Sequence, residues 1–554
     1  KYYLKLTLYL LIKLIMSQPD SFCFICTNSS FNELQGMLMS LSLYHPYVPV
    51  YGLVDTKTKN SIDSIMYLLK LKLNLYITLD KYSDKNRSIM EQEGIFKEFL
   101  LNKAEVMKLA LKEYNDTMLL DCDIVFLKTI DIIDKTKELG VSPHYIKKTN
   151  TDEVGYYNIG VLWTKNINVV NDWIEFTKVS RYFEQASIED LVKKYTYQEF
   201  GKEVNFMPWR IIVGENPQQV VNSININNGT LNIGDKPLVF LHTHFHDRRF
   251  TQVNNIFINA LKKLKRYREL LIIDRIINKN WTIRIPRQPQ QGIWRHANDS
   301  FRELAILYKK NNNDVDIELL DNGHCWLGNH ILLYDRPTRE WFNQDLVNSS
   351  LILLGNGDID KEGKILRDNG LNVKPWIFWP RRPFIIEKFL ENNKLKQYGD
   401  RTIESIFIGN IENSVQNQYR NNNVSWENVL EVYHCTQGRQ HIFTQEEYLE
   451  QLSNAKYGLC LRGYGSKCHR EVELMALGTV PIITETVSIN SYMDPPQENQ
   501  HYIRCDNPDD LKAIISKISK EEWQLMSNEC ILWYKKNVHS KNSFKNFLNY
   551  VLYN

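Results

Sequence analysis

Residues 117–128, TMLLDCDIVFLK, set two aspartates, Asp121 and Asp123, inside an otherwise apolar run. Met118 to Leu120 precede them, and Ile124 to Leu127 follow. Such a run predicts a strand buried on both faces, the kind found in parallel sheets covered by helices. Residues two apart on a strand point the same way, roughly 7 Å apart. Two carboxylates so placed repel each other and desolvate badly, unless the strand ends there and a cation joins them. A hard divalent ion bridging carboxylate and diphosphate oxygens is the natural partner. The apolar setting matters more than the spacing. Asp314-x-Asp316 and Asp358-x-Asp360 share the spacing in polar surroundings and support no such expectation.

Upstream, SFCFICT (residues 21–27) predicts a buried strand and VPVYGLVD (residues 48–55) a second. KAEVMKLALKEY (residues 103–114) puts Met107, Ala110, Leu111 and Tyr114 on one helical face. Strand and helix patterns alternate to about residue 250, which predicts an α/β layered domain with a mostly parallel sheet. A metal site needs ligands from a second segment. Leu238–Asp247 offers them, because the apolar run LVFL leads straight into His242, His244 and His246. Alternate spacing can turn those side chains to one side. Imidazole beside carboxylate suits Mn²⁺ as well as Mg²⁺.

Residues 255–280 read as a helix, and RIPRQPQQG (residues 284–292) as a proline-bearing linker. A second α/β region starts near Ile293, where LILLGNGD and SIFIGN predict parallel strands running into ligand loops. The polar stretch 386–402 divides this region into two lobes. YGLCLRGYGSKCHREVELMALGTVPIIT (residues 457–484) is its most informative segment. A strand enters a glycine-bearing turn, a helix starts near His469, and Gly478 ends it before the next strand at Val480. A turn and helix start of this kind hold phosphates well. Arg470 adds a bidentate donor, and Glu473 an acceptor for ribose hydroxyls.

The chain has 554 residues, enough for two to four domains, with 43% hydrophobic and 24% charged residues and a net charge of +3. The near-balanced charge and the absence of a basic, aromatic-laced run argue against nucleic-acid binding. Nine cysteines lie mostly in apolar runs and read as free thiols of a reducing compartment, taken to be cytoplasmic. Residues 1–15 are apolar with two interior lysines, too short and too charged to span a bilayer. Met16 looks like a natural start, which leaves residues 1–15 as upstream read-through or a weak membrane anchor.

CTNSSF, the Lys103 helix, LLDCDIVFL, NIGVLW and HTHF, in that order, resemble GT-A glycosyltransferases of the glycogenin-like, nucleotide-diphospho-sugar transferase type over residues 20–265. The resemblance implies that Thr27 and Asn28 lie at the nucleoside and that Lys103 approaches the diphosphate or sugar. It implies that Asp121 contacts ribose or metal, Asp123 binds metal, and Asn158 faces the donor sugar or acceptor. His244 would be the third protein ligand, with His242 as the competing choice. HDRRF stands where that family has Gly-x-x-Lys-Pro-Trp, so Arg248 or Arg249 would take the diphosphate charge. Glu184, Gln185, Glu189 and Asp190 are candidates for the catalytic group beneath the sugar.

The C-terminal half resembles exostosin-type glycosyltransferases of GT-B fold, with two Rossmann-like lobes. Their pattern is met by Gly463, Arg470, Glu473, Gly478 and Pro481. In the first lobe, His324, His330 and Asp335 are candidates by residue type, and Trp376 and Trp379 for stacking on sugar or for packing. The expected organisation is a GT-A domain over 16–265, helix and linker over 266–292, an acceptor-side lobe over 293–390 and a nucleotide-sugar lobe over 391–554. The expected function is bifunctional glycosyl transfer from nucleoside-diphosphate sugars, by family habit UDP-sugars, to a glycan or glycoprotein. The first module would depend on Mn²⁺ or Mg²⁺, and the second would need no metal. The alternative is one catalytic module beside a degenerate carbohydrate-binding or scaffold module. A sugar nucleotidyltransferase ranks below both, because its glycine- and lysine-rich N-terminal signature is missing.

Overall fold

The computed structural model describes residues 16–287, 295–321, 323–334, 344–377, 379–420, 426–438 and 441–554, with backbone alone for 16 and 295–299. Residues 1–15, the end of the expected linker and Asp335 lie outside them. The chain forms two compact units that divide between Lys279 and Asn280. Both are mixed α/β structures built on mixed and parallel sheets. Among the described residues no helix is long and apolar enough to cross a membrane.

In the first unit, Phe22–Cys26 is buried at all five positions, as a central strand must be. Pro49–Val54 and Thr117–Leu120 pair with it in parallel, one on each side, and Lys72–Ile77 extends the parallel run. Tyr157–Thr164 then pairs antiparallel with both Thr117–Leu120 and Leu139–Pro143, and Tyr197–Glu199 closes the far edge. The helices Phe31–Tyr44 and Phe96–Leu111 follow the expected layering. Two expectations need correction here. Residues 117–128 do not form one strand: pairing stops after Leu120, and Ile124–Phe126 starts a separate antiparallel ladder with Phe240–His242. The Asp121 amide donates instead to the Gly160 carbonyl at 2.9 Å, so Asp121–Asp123 forms a turn between two sheets. A turn lets both carboxylates enter one gap closer together than the roughly 7 Å spacing of a continuous pleat.

The first compact unit extends to Lys279. Helix Tyr267–Asn278 belongs to the first unit, where a Cβ at Gly36 would lie 2.3 Å from the Ile276 side chain. Only a glycine lets helix Phe31–Tyr44 approach that closely. Residues 284–286, expected as the start of the linker 284–292, instead finish Trp281–Pro286, a strand between Val315–Leu320 and Cys325–Leu327. Its inward Trp281, Ile283 and Ile285 carry a two-residue period that the neighbouring prolines obscured.

The second unit holds two sheets. The first has six strands in mixed directions, because a hairpin, Cys325–Leu327 with Ile331–Tyr334, interrupts the parallel order. Beyond the hairpin Leu351–Leu354 and Val373–Pro375 run parallel. The second sheet is parallel throughout: Val432–Gln437, Ile403–Ile411, Ala455–Cys460, Val480–Ile483 and Ile503–Arg504. The strand–turn–helix–strand order of 455–483 matches expectation, and the first part of the polar stretch 386–402 lies in helix Pro383–Asn392. Gly478 caps helix His469–Leu477 at φ +66°, a conformation that glycine adopts without strain. Trp376 and Trp379 are fully buried against each other, with Phe301 and Phe547 beside them at ring spacings of 5.0–5.4 Å, so they pack the core and present no face to a sugar.

Candidate functional site

Asp121, Asp123 and His242 converge at the turn between the two ladders of the first unit. One ligand atom from each lies within 4.8 Å of the others. His242 Nε2 is 3.0 Å from Asp123 Oδ1 and 3.8 Å from Asp121 Oδ2. Neighbouring ligands of an octahedral ion with bonds of about 2.1 Å stand about 3 Å apart, so this donor set suits a divalent cation after small adjustments. The backbone explains the meeting. His242 pairs with Ile124, the residue after Asp123, and the Thr243 amide donates to the Asp123 carbonyl at 2.9 Å.

His242 rather than His244 completes the group of three. His244 stands beyond the strand end, with Nδ1 2.6 Å from Glu33 and 3.5 Å from Asp123 Oδ2. His246 also turns to Glu33, at 3.4 Å. Glu33, on helix Phe31–Tyr44 and almost fully buried, had no visible signal in the sequence. Its hydrogen bond is the first reason that His244 rises to about 9, ahead of burial, which opposes the charge. Burial works against the Asp123 carboxylate, yet His242 and His244 outweigh it and hold its pKa below the usual range.

Lys103 and Glu184 border the group. Lys103 Nζ lies 2.9 Å from Asp121 Oδ1 and 3.2 Å from Glu184 Oε1, with all but 6% of its surface covered. Burial disfavours its charge, but the two carboxylates raise its pKa overall. Lys103 thus tethers the first aspartate to Glu184. Gln185 sits next in chain, its amide donating to the Val154 carbonyl at 2.8 Å. Asp190 pairs with Lys193 on the exposed face of helix Ile188–Lys194, and Glu189 pairs with Arg181. Neither is drawn into the Asp121–Glu184 group.

Thr27 and Asn28 follow the end of the central strand, where ligands of open parallel sheets bind. The Asn28 amide donates to Asp55 Oδ2 at 3.2 Å, and Asp55 also caps helix Thr56–Ile65. Asn158 accepts from the Gly160 amide at 2.9 Å and from the Asn205 amide group at 3.0 Å. Arg249 is bound to Asp247 by a bidentate pair, whereas Arg248 is exposed, its side chain without a hydrogen bond or ion pair among the described residues. Of the two arginines, Arg248 is the one able to reach a new anion.

In the second unit a cavity of about 360 Å³ opens at the Gly463–Arg470 turn, lined in part by Arg381, Arg420, Gly463, Arg470 and Glu473. Arg470 is 8% exposed and donates through Nη2 to the Ile408 carbonyl, while its Nε and Nη1 have no hydrogen-bond partner among the described residues. Its guanidinium also lies over the Phe407 ring at 4.4 Å, and a buried guanidinium with two unsatisfied nitrogens at the wall of a cavity suits an anion. A Cβ at Gly465 would fall 1.7 Å from Asn356 Oδ1, so the turn needs glycine for close approach. Glu473 differs from a free ribose acceptor: Oε1 accepts the Arg381 amide at 3.0 Å and Oε2 the Tyr448 hydroxyl at 3.0 Å. In the other lobe His324 is paired with Asp345 at 2.7 Å and His330 is buried.

Next to Arg470, Glu471 is wholly buried, and burial pushes its pKa from 4.5 up to about 7. The folded chain therefore binds more protons than the unfolded chain between about pH 4.5 and 7, and stability falls as pH rises through that window. A shift of this size corresponds to about 3 kcal/mol. Glu471→Gln is expected to gain stability over wild type at pH 8 and to gain little at pH 5, measured by urea unfolding of the full chain. An equal difference at both pH values would contradict the assignment.

Comparison with known proteins gives little. No protein-family model matches the chain, and no curated protein matches it. Among solved structures, galactosyltransferase LgtC is similar at 14% identity and a TM-score of 0.29, over 42% of this chain and 95% of that one. Mouse xyloside xylosyltransferase 1 is similar at 9% and 0.28, over 40% and 96%. The glycosyltransferase GlyE of Streptococcus pneumoniae TIGR4 is similar at 10% and 0.30, over 92% and 100%. All three are glycosyltransferases by name, and at these values none assigns a fold or an activity to this chain.

Proposed function

We propose that the chain is a glycosyltransferase whose first unit moves a sugar from a nucleoside-diphosphate donor to a glycan or protein acceptor with the help of a divalent cation. The convergence of Asp121, Asp123 and His242 beside Lys103 and Glu184, at the turn between two ladders, is the observation that supports this most directly. Asp121, Asp123 and His242 would hold the cation, Mn²⁺ or Mg²⁺. When bound, that ion supplies positive charge to the departing diphosphate. Arg248 has a free guanidinium for the same charge, and Lys103 keeps Asp121 and Glu184 in place. Glu184 and Gln185 are the candidates for the face beneath the sugar, and UDP is the nucleotide expected. Thr27 and Asn28 would lie along the nucleoside, and the nine free cysteines fit a reducing compartment. The test is a screen of nucleotide sugars for slow hydrolysis by the full chain, with Mn²⁺ and with chelator. Failure of Mn²⁺ to stimulate hydrolysis of any donor would overturn the reading.

The second unit, in the same proposal, takes a nucleotide sugar in the cavity at Gly463, with Arg470 as its diphosphate ligand. Arg470→Ala is expected to weaken nucleoside-diphosphate binding measured in chelator by about tenfold or more, the worth of a charged hydrogen-bond pair. Unchanged affinity removes Arg470 from the site. The engaged carboxylate of Glu473 favours a second reading, in which this unit binds carbohydrate or nucleotide without transferring sugar. Two donor-hydrolysis activities, separable by Asp123→Ala and Arg470→Ala, would exclude that second reading.

A further inference from the structure

His242 has two ring nitrogens, and only a lone pair on Nε2 can serve a cation between the aspartates. Its Nδ1 lies 2.7 Å from Asn205 Oδ1. An asparagine amide can face either way unless its other contacts decide, and here they do. Asn205 Nδ2 donates to Ser142 Oγ at 3.1 Å and to Asn158 Oδ1 at 3.0 Å. Asn158 Oδ1 is itself an acceptor by necessity, because the Gly160 amide, which can only donate, points to it at 2.9 Å. The other end of Asn158 agrees. Its Nδ2 faces His144 Nε2 at 3.4 Å, and His144 Nδ1 donates to the Gly155 carbonyl at 3.1 Å. Turning the Asn205 amide over would set oxygen against oxygen at Asn158 and nitrogen against the His242 ring.

The backbone holds Asn205 as firmly as its side chain. Asn205 is fully buried with φ +54°, a left-handed conformation that asparagine tolerates better than most residues. The next residue, Phe206, donates to the Phe240 carbonyl at 3.2 Å and accepts the His242 amide at 2.9 Å. Asn205 is thus zipped to the strand that carries the histidine.

We propose that Asn205 is a positioning residue for the metal site, setting the His242 ring so that Nδ1 donates to it and the Nε2 lone pair faces Asp121 and Asp123. The inference rests on the metal reading of the first unit. Outer partners of ligating histidines act in this way, and their loss typically costs about 10- to 100-fold in metal affinity. The sequence passes over Asn205, since it lies in an unremarkable loop far from either motif.

The test is Mn²⁺ titration of the full chain, followed by electron paramagnetic resonance of free Mn²⁺, for wild type, Asn205→Leu and Asn205→Asp. Leucine keeps the size and removes the acceptor. Aspartate keeps an acceptor for His242 Nδ1. Asn205→Leu is expected to bind Mn²⁺ at least about tenfold more weakly, and Asn205→Asp to bind more tightly than Asn205→Leu but short of wild type, because its second oxygen meets Asn158 Oδ1 where Asn205 donates. Equal affinity of wild type and Asn205→Leu overturns the proposal while leaving the metal site intact. So does an Asn205→Asp variant as weak as Asn205→Leu, because a purely structural role would predict that pattern. A wild-type chain that binds no Mn²⁺ sinks the metal reading, and this proposal with it.

Discussion

Asp123→Ala is expected to lower Mn²⁺-stimulated hydrolysis of nucleotide sugars by the full chain on the order of a thousandfold, as befits an ion that contributes several kcal/mol to leaving-group departure. Asp123 supplies the ligand atom nearest to His242, at 3.0 Å, and no other described carboxylate shares that position. The fold should survive the change. The contact that fastens the two strands here is the Asp123 main-chain carbonyl, which accepts from Thr243, and alanine keeps it. The same protein should therefore melt within a few degrees of wild type while losing Mn²⁺ affinity. Turnover that persists with Mn²⁺ at the wild-type rate would falsify the assignment of the catalytic cation to this turn.

The second large effect is expected from the smallest change. A Cβ at Gly160 would lie 2.2 Å from His242 Cε1, 2.8 Å from Asp121 Oδ2 and 2.9 Å from Asn158 Oδ1. Each of these groups is held: His242 by Asn205, Asp121 by Lys103, and Asn158 by the Gly160 amide itself. Gly160→Ala must therefore displace at least one metal ligand and loosen the loop. Overpacking of this kind costs about 1–3 kcal/mol, and Mn²⁺ affinity should fall by tenfold or more in step with activity. Calorimetric titration and thermal melting of the same sample check both parts. Intact Mn²⁺ affinity would mean that the site lies elsewhere.

Much of this architecture was legible in local sequence. Five consecutive buried residues at Phe22–Cys26, the alternation of strand and helix, and the segment 455–483 with its glycine cap all arise from short-range propensity and periodicity. The aspartate pair was legible for another reason, because a charged pair inside an apolar run conflicts with burial unless something offsets it. Reading 117–128 as one strand failed because apolar residues on both sides of the turn are buried in two different ladders, and burial alone does not mark the break. Residues 284–286 were misjudged because the prolines of 284–292 looked like a linker, although the inward residues of Trp281–Pro286 alternate as a strand requires.

By itself the sequence determined the alternation of strands and helices, an acidic pair between greasy segments, and a glycine-rich turn before an arginine-bearing helix. Only the tertiary structure decided which histidine meets the aspartates. Three histidines at alternate positions look equivalent along the chain, but antiparallel register puts His242 opposite Ile124 and leaves His244 and His246 to Glu33. The same holds for Asn205, Glu33 and the engaged oxygens of Glu473, whose partners come from distant segments. Short-range chemistry specifies what a segment can form. Pairing between remote segments, which depends on register and on the packing of whole layers, selects which side chains share a site.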